Sequence, residues 1–240
     1  MVSEPSDEIY FMIISGIQKT TFIDYPGKVA STLFLAGCNF RCPFCHNRNL
    51  VLNAKWLEKI SEDKVLSFLR KRKKYLEGVC ITGGEPLIYD DLAGFIKEIK
   101  GIGYQVKLDT NGTNPRILGN LYKKNLLDYV AMDIKSSPEK YNAVTGVKVD
   151  LDKIKKSIAI VVQGGVDYEF RSTVLPRFHS LLEVENMANM IKGAKLYYLQ
   201  NFVARNTLDR SFMDEKGFTD DEMKELARAA GKHVEKCLVR

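Results

Sequence analysis

The sequence predicts an α/β fold in which six strand–helix units form an open, curved (βα)6 partial TIM barrel. Short apolar runs rich in Val, Ile, Phe and Tyr alternate with amphipathic stretches along the chain. Such alternation is typical of a parallel sheet with helices on its outer face. Six units cannot close the usual eight-stranded barrel, so the sheet is expected to stay open.

Six apolar runs are the candidate strands, because each is short and bounded by polar or turn residues. They are Val29–Ala36, Gly78–Ile81, Gln105–Leu108, Asp128–Met132, Tyr168–Val174 and Leu196–Leu199. The stretches between them repeat apolar residues at i, i+3, i+4 and i+7, the spacing of an amphipathic helix. The clearest cases start at Leu92, Val184 and Met223.

The chain has 240 residues, of which 45% are hydrophobic. This length and composition suit one domain with a substantial core, spanning residues 1–240. The first 15 residues are expected to form either an added N-terminal strand or a loose tail. No low-complexity tract or internal repeat suggests a second domain.

Charge and hydropathy indicate a cytoplasmic protein. No run of 18 apolar residues exists, so no membrane-spanning helix is expected. The first ten residues carry acids where a signal peptide would carry lysines. The net charge is +6, and its one tight basic run is Arg70–Lys74. We interpret this run as a solvated helix face rather than a nucleic-acid patch.

Three of the five cysteines lie close together, with the spacing C-x3-C-x2-C. Cys38, Cys42 and Cys45 could hold three irons of a 4Fe-4S cubane and leave the fourth iron open. The alternatives are a zinc site that borrows His46 and an iron–sulfur electron carrier, which would usually have four cysteines. Neither Cys80 nor Cys237 has a C-x2-C neighbour, so neither is expected to be a ligand.

The cysteine spacing, with Phe44 before the last cysteine and the Gly83–Pro86 segment (GGEP) downstream, resembles the signature of the radical S-adenosylmethionine (SAM) superfamily. The resemblance implies that SAM binds the fourth iron and that one electron cleaves it to methionine and a 5′-deoxyadenosyl radical. It also implies that Phe44 lies near the adenine. The motif of Gly83, Gly84 and Glu85 would contact the SAM amino group.

Two further motifs, Asp109–Gly112 (DTNG) and Met132–Lys135 (MDIK), would each alone suggest a turn or a helix cap. Together they resemble motifs of glycyl-radical-enzyme activases, above all pyruvate formate-lyase activating enzymes. The resemblance implies a sodium or potassium ion held by the carboxylates of Asp109 and Asp133 and the backbone oxygens of Thr110 and Met132. Lys135 and Arg171 would then pair with the SAM carboxylate, and Asn111 belongs to the same SAM-binding set.

The stretch from Gln18 to Lys28 (QKTTFIDYPGK) is similar to anaerobic ribonucleoside-triphosphate reductase activating proteins. This implies a radical SAM oxidoreductase that removes a hydrogen from a glycine of a partner, most simply anaerobic ribonucleotide reductase. Its electron donor would be a reduced flavodoxin or ferredoxin. Pyruvate formate-lyase or another glycyl radical enzyme, a small molecule and RNA stay open as alternatives. Leu175–His179 and Asn201–Arg205 depart from the family pattern, and we interpret them as partner contacts.

Overall fold

A computed structural model describes residues 12–240 of the chain, and residues 1–11 lie outside the described part. The strands are β1 Ile14–Thr21, β2 Ala30–Leu35, β3 Gly78–Gly83, β4 Gln105–Thr110, β5 Tyr129–Asp133, β6 Asp167–Val174, β7 Tyr197–Asn201 and β8 Cys237–Val239. The α-helices are α1 Arg48–Leu52, α2 Glu62–Arg72, α3 Leu92–Gly101, α4 Pro115–Lys123, α5 Tyr141–Thr145, α6 Leu151–Gln163, α7 Leu181–Met190 and α8 Asp220–Ala230.

The eight strands form one sheet in which neighbours in space follow the order of the chain, from β1 to β8. β2 to β8 are parallel, and β1 runs antiparallel to β2. No pairing joins β8 to β1 among residues 12–240, so the sheet stays open. The α/β class with its mostly parallel, open sheet is confirmed.

The six predicted strands correspond to β2–β7, and two further strands were missed. β1 has only its two end residues buried, so its sequence lacks a continuous apolar run. β8 is three residues long, too short for a periodic signal. The prediction for residues 1–15 is tested only in part. Its last two residues begin β1, while residues 1–11 are not described.

Helix packing agrees with the i, i+3, i+4 patterns. α3 buries Leu92, Phe95, Ile96 and Ile99, the four residues that the spacing selected. α7 buries its apolar stripe in the same way, whereas in α8 the i+4 residue Ala227 is only half-buried. The basic run Arg70–Lys74 lies at the end of α2 and is exposed except at Arg72, as expected for a solvated helix face.

Parallel strands bring all their carboxyl ends to one edge of the sheet, and the loops that follow them lie side by side. The motifs that follow β2, β3, β4 and β5 are separated by tens of residues in sequence, yet they converge at this edge. Within residues 12–240, no helix combines the length and apolar character that crossing a membrane requires.

Candidate active site

A cavity of about 310 Å³ opens at the carboxyl ends of the strands. Residues from the cysteine loop and from the GGEP, DTNG and MDIK motifs line it. They are Cys38, Phe40, Cys42, Phe44, Cys45, His46, Asn47, Val51, Thr82, Gly83, Gly84, Glu85, Asp109, Thr110, Asn111, Asp133, Lys135, Arg171, Thr173 and Gln200. Of the predicted site residues, only Met132 is absent from this lining. Its side chain is fully buried in the core.

The loop that carries the three cysteines follows β2 and is held by backbone hydrogen bonds from distant segments. The Arg41 amide donates to the Thr145 carbonyl at the end of α5, with an N–O distance of 2.8 Å. From the other side, the amides of Leu208 and Asp209 donate to the carbonyls of Cys45 and Pro43, at 2.9 and 2.8 Å. These hydrogen bonds hold the cysteine loop against α5 on one side and against the segment at residues 208–209 on the other.

The three thiols all face this cavity, and Cys42 is buried while Cys38 and Cys45 are partly exposed. Burial raises the pKa of Cys38 to about 12 and that of Cys42 to about 11. A bound metal cluster reverses such a shift, because a coordinating thiol is deprotonated outright. Among residues 12–240, no three His, Cys, Asp or Glu side chains lie close enough together to hold one metal ion. In a 4Fe-4S cubane each of the three thiolates would ligate a different iron.

Phe44 is buried in an aromatic cluster formed by the two segments that depart from the family pattern. Its ring centroid lies 5.9 Å from that of Phe178 and 6.4 Å from those of His179 and Phe202. His46 stacks on Phe202 at 5.6 Å, and its Nε2 lies 2.8 Å from the Val203 carbonyl. These parts of the two segments therefore support the cysteine loop from inside.

Gly83 and Gly84 allow the loop after β3 to lie directly against the loop after β2. Gly83 has a φ of +125°, and a Cβ there would lie 2.2 Å from the Leu35 carbonyl oxygen. A Cβ on Gly84 would lie 1.8 Å from the Gly37 carbonyl oxygen. The close approach of the two loops allows a hydrogen bond, because the Glu85 amide donates to that same Gly37 oxygen at 2.8 Å. Only glycine permits this contact.

Glu85 is buried and ties the loop after β3 to the loop after β4. One carboxylate oxygen accepts from the Leu87 amide at 3.0 Å and from Thr110 Oγ1 at 2.6 Å. The other accepts from the Asn111 amide at 2.6 Å. Burial raises the pKa of Glu85 to about 7, and these hydrogen bonds limit the rise. Glu85 therefore positions Thr110 and Asn111 as well as lining the cavity.

A chain of ion pairs crosses the floor of the cavity from β4 to the loop after β5. Arg171 donates from Nη1 to Asp109 Oδ2 at 3.2 Å and from Nε to Asp133 Oδ1 at 3.1 Å. Lys135 Nζ reaches the other oxygen of Asp133 at 2.9 Å. Lys107 Nζ reaches the other oxygen of Asp109. All four carboxylate oxygens of Asp109 and Asp133 thus contact protein cations.

The ion pairs keep both aspartates charged. Burial alone would raise the pKa of Asp133, but Lys135 and Arg171 lower it to about 2. Asp109 follows the same pattern, because Arg171 and Lys107 outweigh burial and lower its pKa. Lys107 is the member that sequence reasoning missed. The available signal was a lysine two residues before Asp109 within a predicted strand, which places both side chains on one face of β4.

His179 holds the backbone of Lys135 from below. Its Nδ1 accepts a hydrogen bond from the Leu175 amide at 3.2 Å, so Nε2 carries the proton and donates to the Lys135 carbonyl at 3.1 Å. The ring is fully buried, and burial lowers its pKa below the ordinary histidine value. His179 is therefore a neutral support for the loop that presents Lys135.

This assignment of His179 predicts a pH-dependent stability. The unfolded chain binds a proton at His179 near pH 6.5, whereas the folded protein resists it. Stability should therefore fall as the pH drops below about 6.5. Urea unfolding at pH 7.5 and 5.5 should show a smaller loss for His179→Gln than for the unsubstituted protein. Equal losses would show that His179 does not carry this effect.

Comparison with known proteins identifies the family. The family model of the radical SAM superfamily matches residues 32–191. A Methanocaldococcus jannaschii protein, named as a candidate glycyl-radical enzyme activating enzyme, is 33% identical over 95% of both chains. The pyruvate formate-lyase-activating enzyme of Clostridium pasteurianum is 27% identical over 76% of this chain and 77% of its own.

A solved structure shares the fold. SuiB of Streptococcus suis, in a structure bound to S-adenosylmethionine, superposes with a TM-score of 0.62 at 14% identity over 85% of this chain. This chain spans about half of SuiB, 48% of its length. The open sheet, the cysteine loop and these matches define an enzyme class. The chain belongs to the radical SAM superfamily, and membership implies a 4Fe-4S cluster and SAM as cofactors.

Proposed function

We propose that this protein is a glycyl-radical-enzyme activase, which removes a hydrogen atom from one glycine of a partner enzyme. The observation that carries the proposal is the similarity to the Methanocaldococcus jannaschii protein, which extends over 95% of both chains and is not confined to the shared SAM-binding core. The match to a pyruvate formate-lyase-activating enzyme supports the same class of reaction.

The residues around the cavity fit both cofactors. Cys38, Cys42 and Cys45 would supply three thiolates from one loop and would leave one iron of the cluster open for SAM. Phe44 and Asn111 would flank the SAM nucleoside, Gly83, Gly84 and Glu85 the amino group, and Lys135 with Arg171 the carboxylate. When bound, the two cofactors supply one-electron cleavage of the SAM S–C5′ bond, which yields methionine and a 5′-deoxyadenosyl radical.

The rest of the reaction requires that the protein admit the glycine loop of its partner to the cavity. The partner's glycine must reach the cavity, lose a hydrogen atom from its Cα to the 5′-carbon and keep the unpaired electron. The open sheet leaves a side through which a peptide loop can enter. We propose anaerobic ribonucleotide reductase as partner on the resemblance of residues 18–28, with reduced flavodoxin or ferredoxin supplying the electron. A cytoplasmic location follows from such partners.

Each of the two segments that we interpret as partner contacts, Leu175–His179 and Asn201–Arg205, contains one arginine that could contact an acidic partner surface. Arg177 pairs with Glu215 at 2.9 Å and lies over the ring of Phe212, so its charge is already used within the chain. Arg205 lies in the other departing segment and is exposed. Of the two arginines, Arg205 is therefore the better candidate for an acidic surface on the partner.

The test is anaerobic reconstitution with iron and sulfide, followed by mixing with candidate glycyl radical enzymes. Reduction with dithionite should release 5′-deoxyadenosine from SAM, and the correct partner should show the doublet of a glycyl radical in its EPR spectrum. A partner labelled with deuterium at the glycine Cα should transfer deuterium to 5′-deoxyadenosine. SAM cleavage without hydrogen transfer from any glycine would favour a small-molecule or RNA substrate. Absence of SAM cleavage would indicate an electron carrier.

A further inference from the structure

Lys107 is a fully buried lysine whose charge the proposed chemistry leaves unused. Only 1% of the residue is exposed, and it does not line the cavity. Its Nζ contacts Asp109 Oδ1 and lies 3.8 Å from Cys80 Sγ, with the ring of Tyr129 5.9 Å away. Burying a lysine is costly unless it is paired. Its pairing with a cavity-lining aspartate therefore needs an explanation.

Counting the charges of the ion-pair chain shows what Lys107 adds. Three cations, Lys107, Arg171 and Lys135, face two carboxylates, Asp109 and Asp133, so the sum is +1. Without Lys107 the remaining two cations and two carboxylates would sum to zero. A site that receives the carboxylate of SAM needs a positive excess, because a carboxylate taken out of water is costly unless it is compensated.

Lys107 and the other two cations lie on different sides of Asp109 and have different roles. It holds Asp109 from the side away from the cavity, while Arg171 and Lys135 line the cavity itself. Lys107 therefore compensates the negative charge of Asp109. As a result, part of the positive charge of Arg171 stays available to the SAM carboxylate. A monovalent cation between Asp109 and Asp133 would serve the same purpose, but every carboxylate oxygen of these two aspartates already contacts a protein cation.

We propose that the Lys107 ammonium is a built-in cation that takes the place of the sodium or potassium ion expected at Asp109, Thr110, Met132 and Asp133. Lys107 acts as a positioning residue, since it acts on SAM through Asp109 and Arg171. The inference rests on the proposed SAM site and is independent of which glycyl radical enzyme is activated. Because the cation is tethered to β4, SAM affinity does not depend on the identity of the salt.

The first experiment needs no substitution. SAM affinity of the reconstituted protein is measured by equilibrium dialysis at one ionic strength in sodium, potassium and tetramethylammonium chloride. The last cation is too bulky for a site between two carboxylates. The three affinities should agree. Clearly tighter binding in sodium or potassium than in tetramethylammonium would overturn the inference, because the site would then use a mobile ion.

The second experiment removes the charge. Lys107→Met keeps a long apolar side chain and should weaken SAM binding about 10- to 100-fold in tetramethylammonium, the range seen when a supporting partner is lost from a ligand site. Sodium or potassium should restore part of the affinity. A general packing defect would not respond to the identity of the cation, so this response separates a charge role from a structural one.

Lys100→Met is the matched control. Lys100 pairs with Asp128 through Nζ at 2.6 Å, but neither residue lines the cavity. It should leave SAM affinity unchanged in every salt. If Lys107→Met binds SAM normally, or binds weakly without any response to sodium or potassium, the inference is wrong. Failure of the unsubstituted protein to bind SAM in any salt would instead overturn the SAM site and the proposed function with it.

Discussion

Cys42→Ala is expected to abolish the 4Fe-4S cluster and, with it, reductive SAM cleavage. Cys42 is buried at the centre of the cysteine loop, and no other described cysteine can replace it. Cys80 is buried on β3 and does not line the cavity, and Cys237 begins β8 at the edge of the sheet. Losing one of three thiolates leaves a second iron without a protein ligand, so the cluster is lost rather than loosened.

The measurement is iron and sulfide content per chain, together with visible absorbance and 5′-deoxyadenosine release. Cys38→Ala and Cys45→Ala should behave like Cys42→Ala, while Cys237→Ala should retain both the cluster and SAM cleavage. Circular dichroism of each apo-protein separates loss of the ligand from loss of the fold. A Cys42→Ala protein with full iron content and normal cleavage would refute the assignment of the cluster.

Gly84→Ala is expected to disrupt the contact between the loops after β2 and β3. Its Cβ would lie 1.8 Å from the Gly37 carbonyl oxygen and 2.5 Å from the Gly37 carbonyl carbon. Both atoms belong to the backbone, so no side chain can rotate to make room. The loops must separate, which breaks the hydrogen bond from the Glu85 amide to Gly37. We expect a loss of at least about 3 kcal/mol in unfolding free energy, at the upper end of overpacking effects.

Gly94→Ala is the control for this substitution. Gly94 lies on the exposed face of α3, and a Cβ there would meet nothing within 4 Å. Gly94 is the third residue of α3, and replacing a helical glycine by alanine should stabilise the protein by up to about 1 kcal/mol. Urea unfolding of both apo-proteins and their iron content after reconstitution test the pair. Gly84→Ala with unchanged stability and iron content would mean that the loop contact is dispensable.

The sequence by itself determined the features that depend on local spacing. The C-x3-C-x2-C loop, the six parallel strands and the amphipathic helices all follow from residues a few positions apart, because side-chain direction repeats every two residues in a strand and every 3.6 in a helix. Parallel topology then implied that the motifs meet at one edge. β1 and β8 were missed because one is mostly polar and the other has three residues.

Only the tertiary structure decided which groups touch at that edge. Two partners of the Glu85 carboxylate, Thr110 and Asn111, lie 25 and 26 residues away, and the aromatic partners of Phe44 lie on segments near residues 178 and 202. The cation that pairs with Asp109 is determined by the packing of β4, β5 and β6 side by side. Burial then requires that each charged group be paired. Distances between side chains on different strands cannot be predicted from the residues near each of them in sequence. The lysine two positions before Asp109 therefore acquires its meaning only once β4 lies in the sheet between β3 and β5.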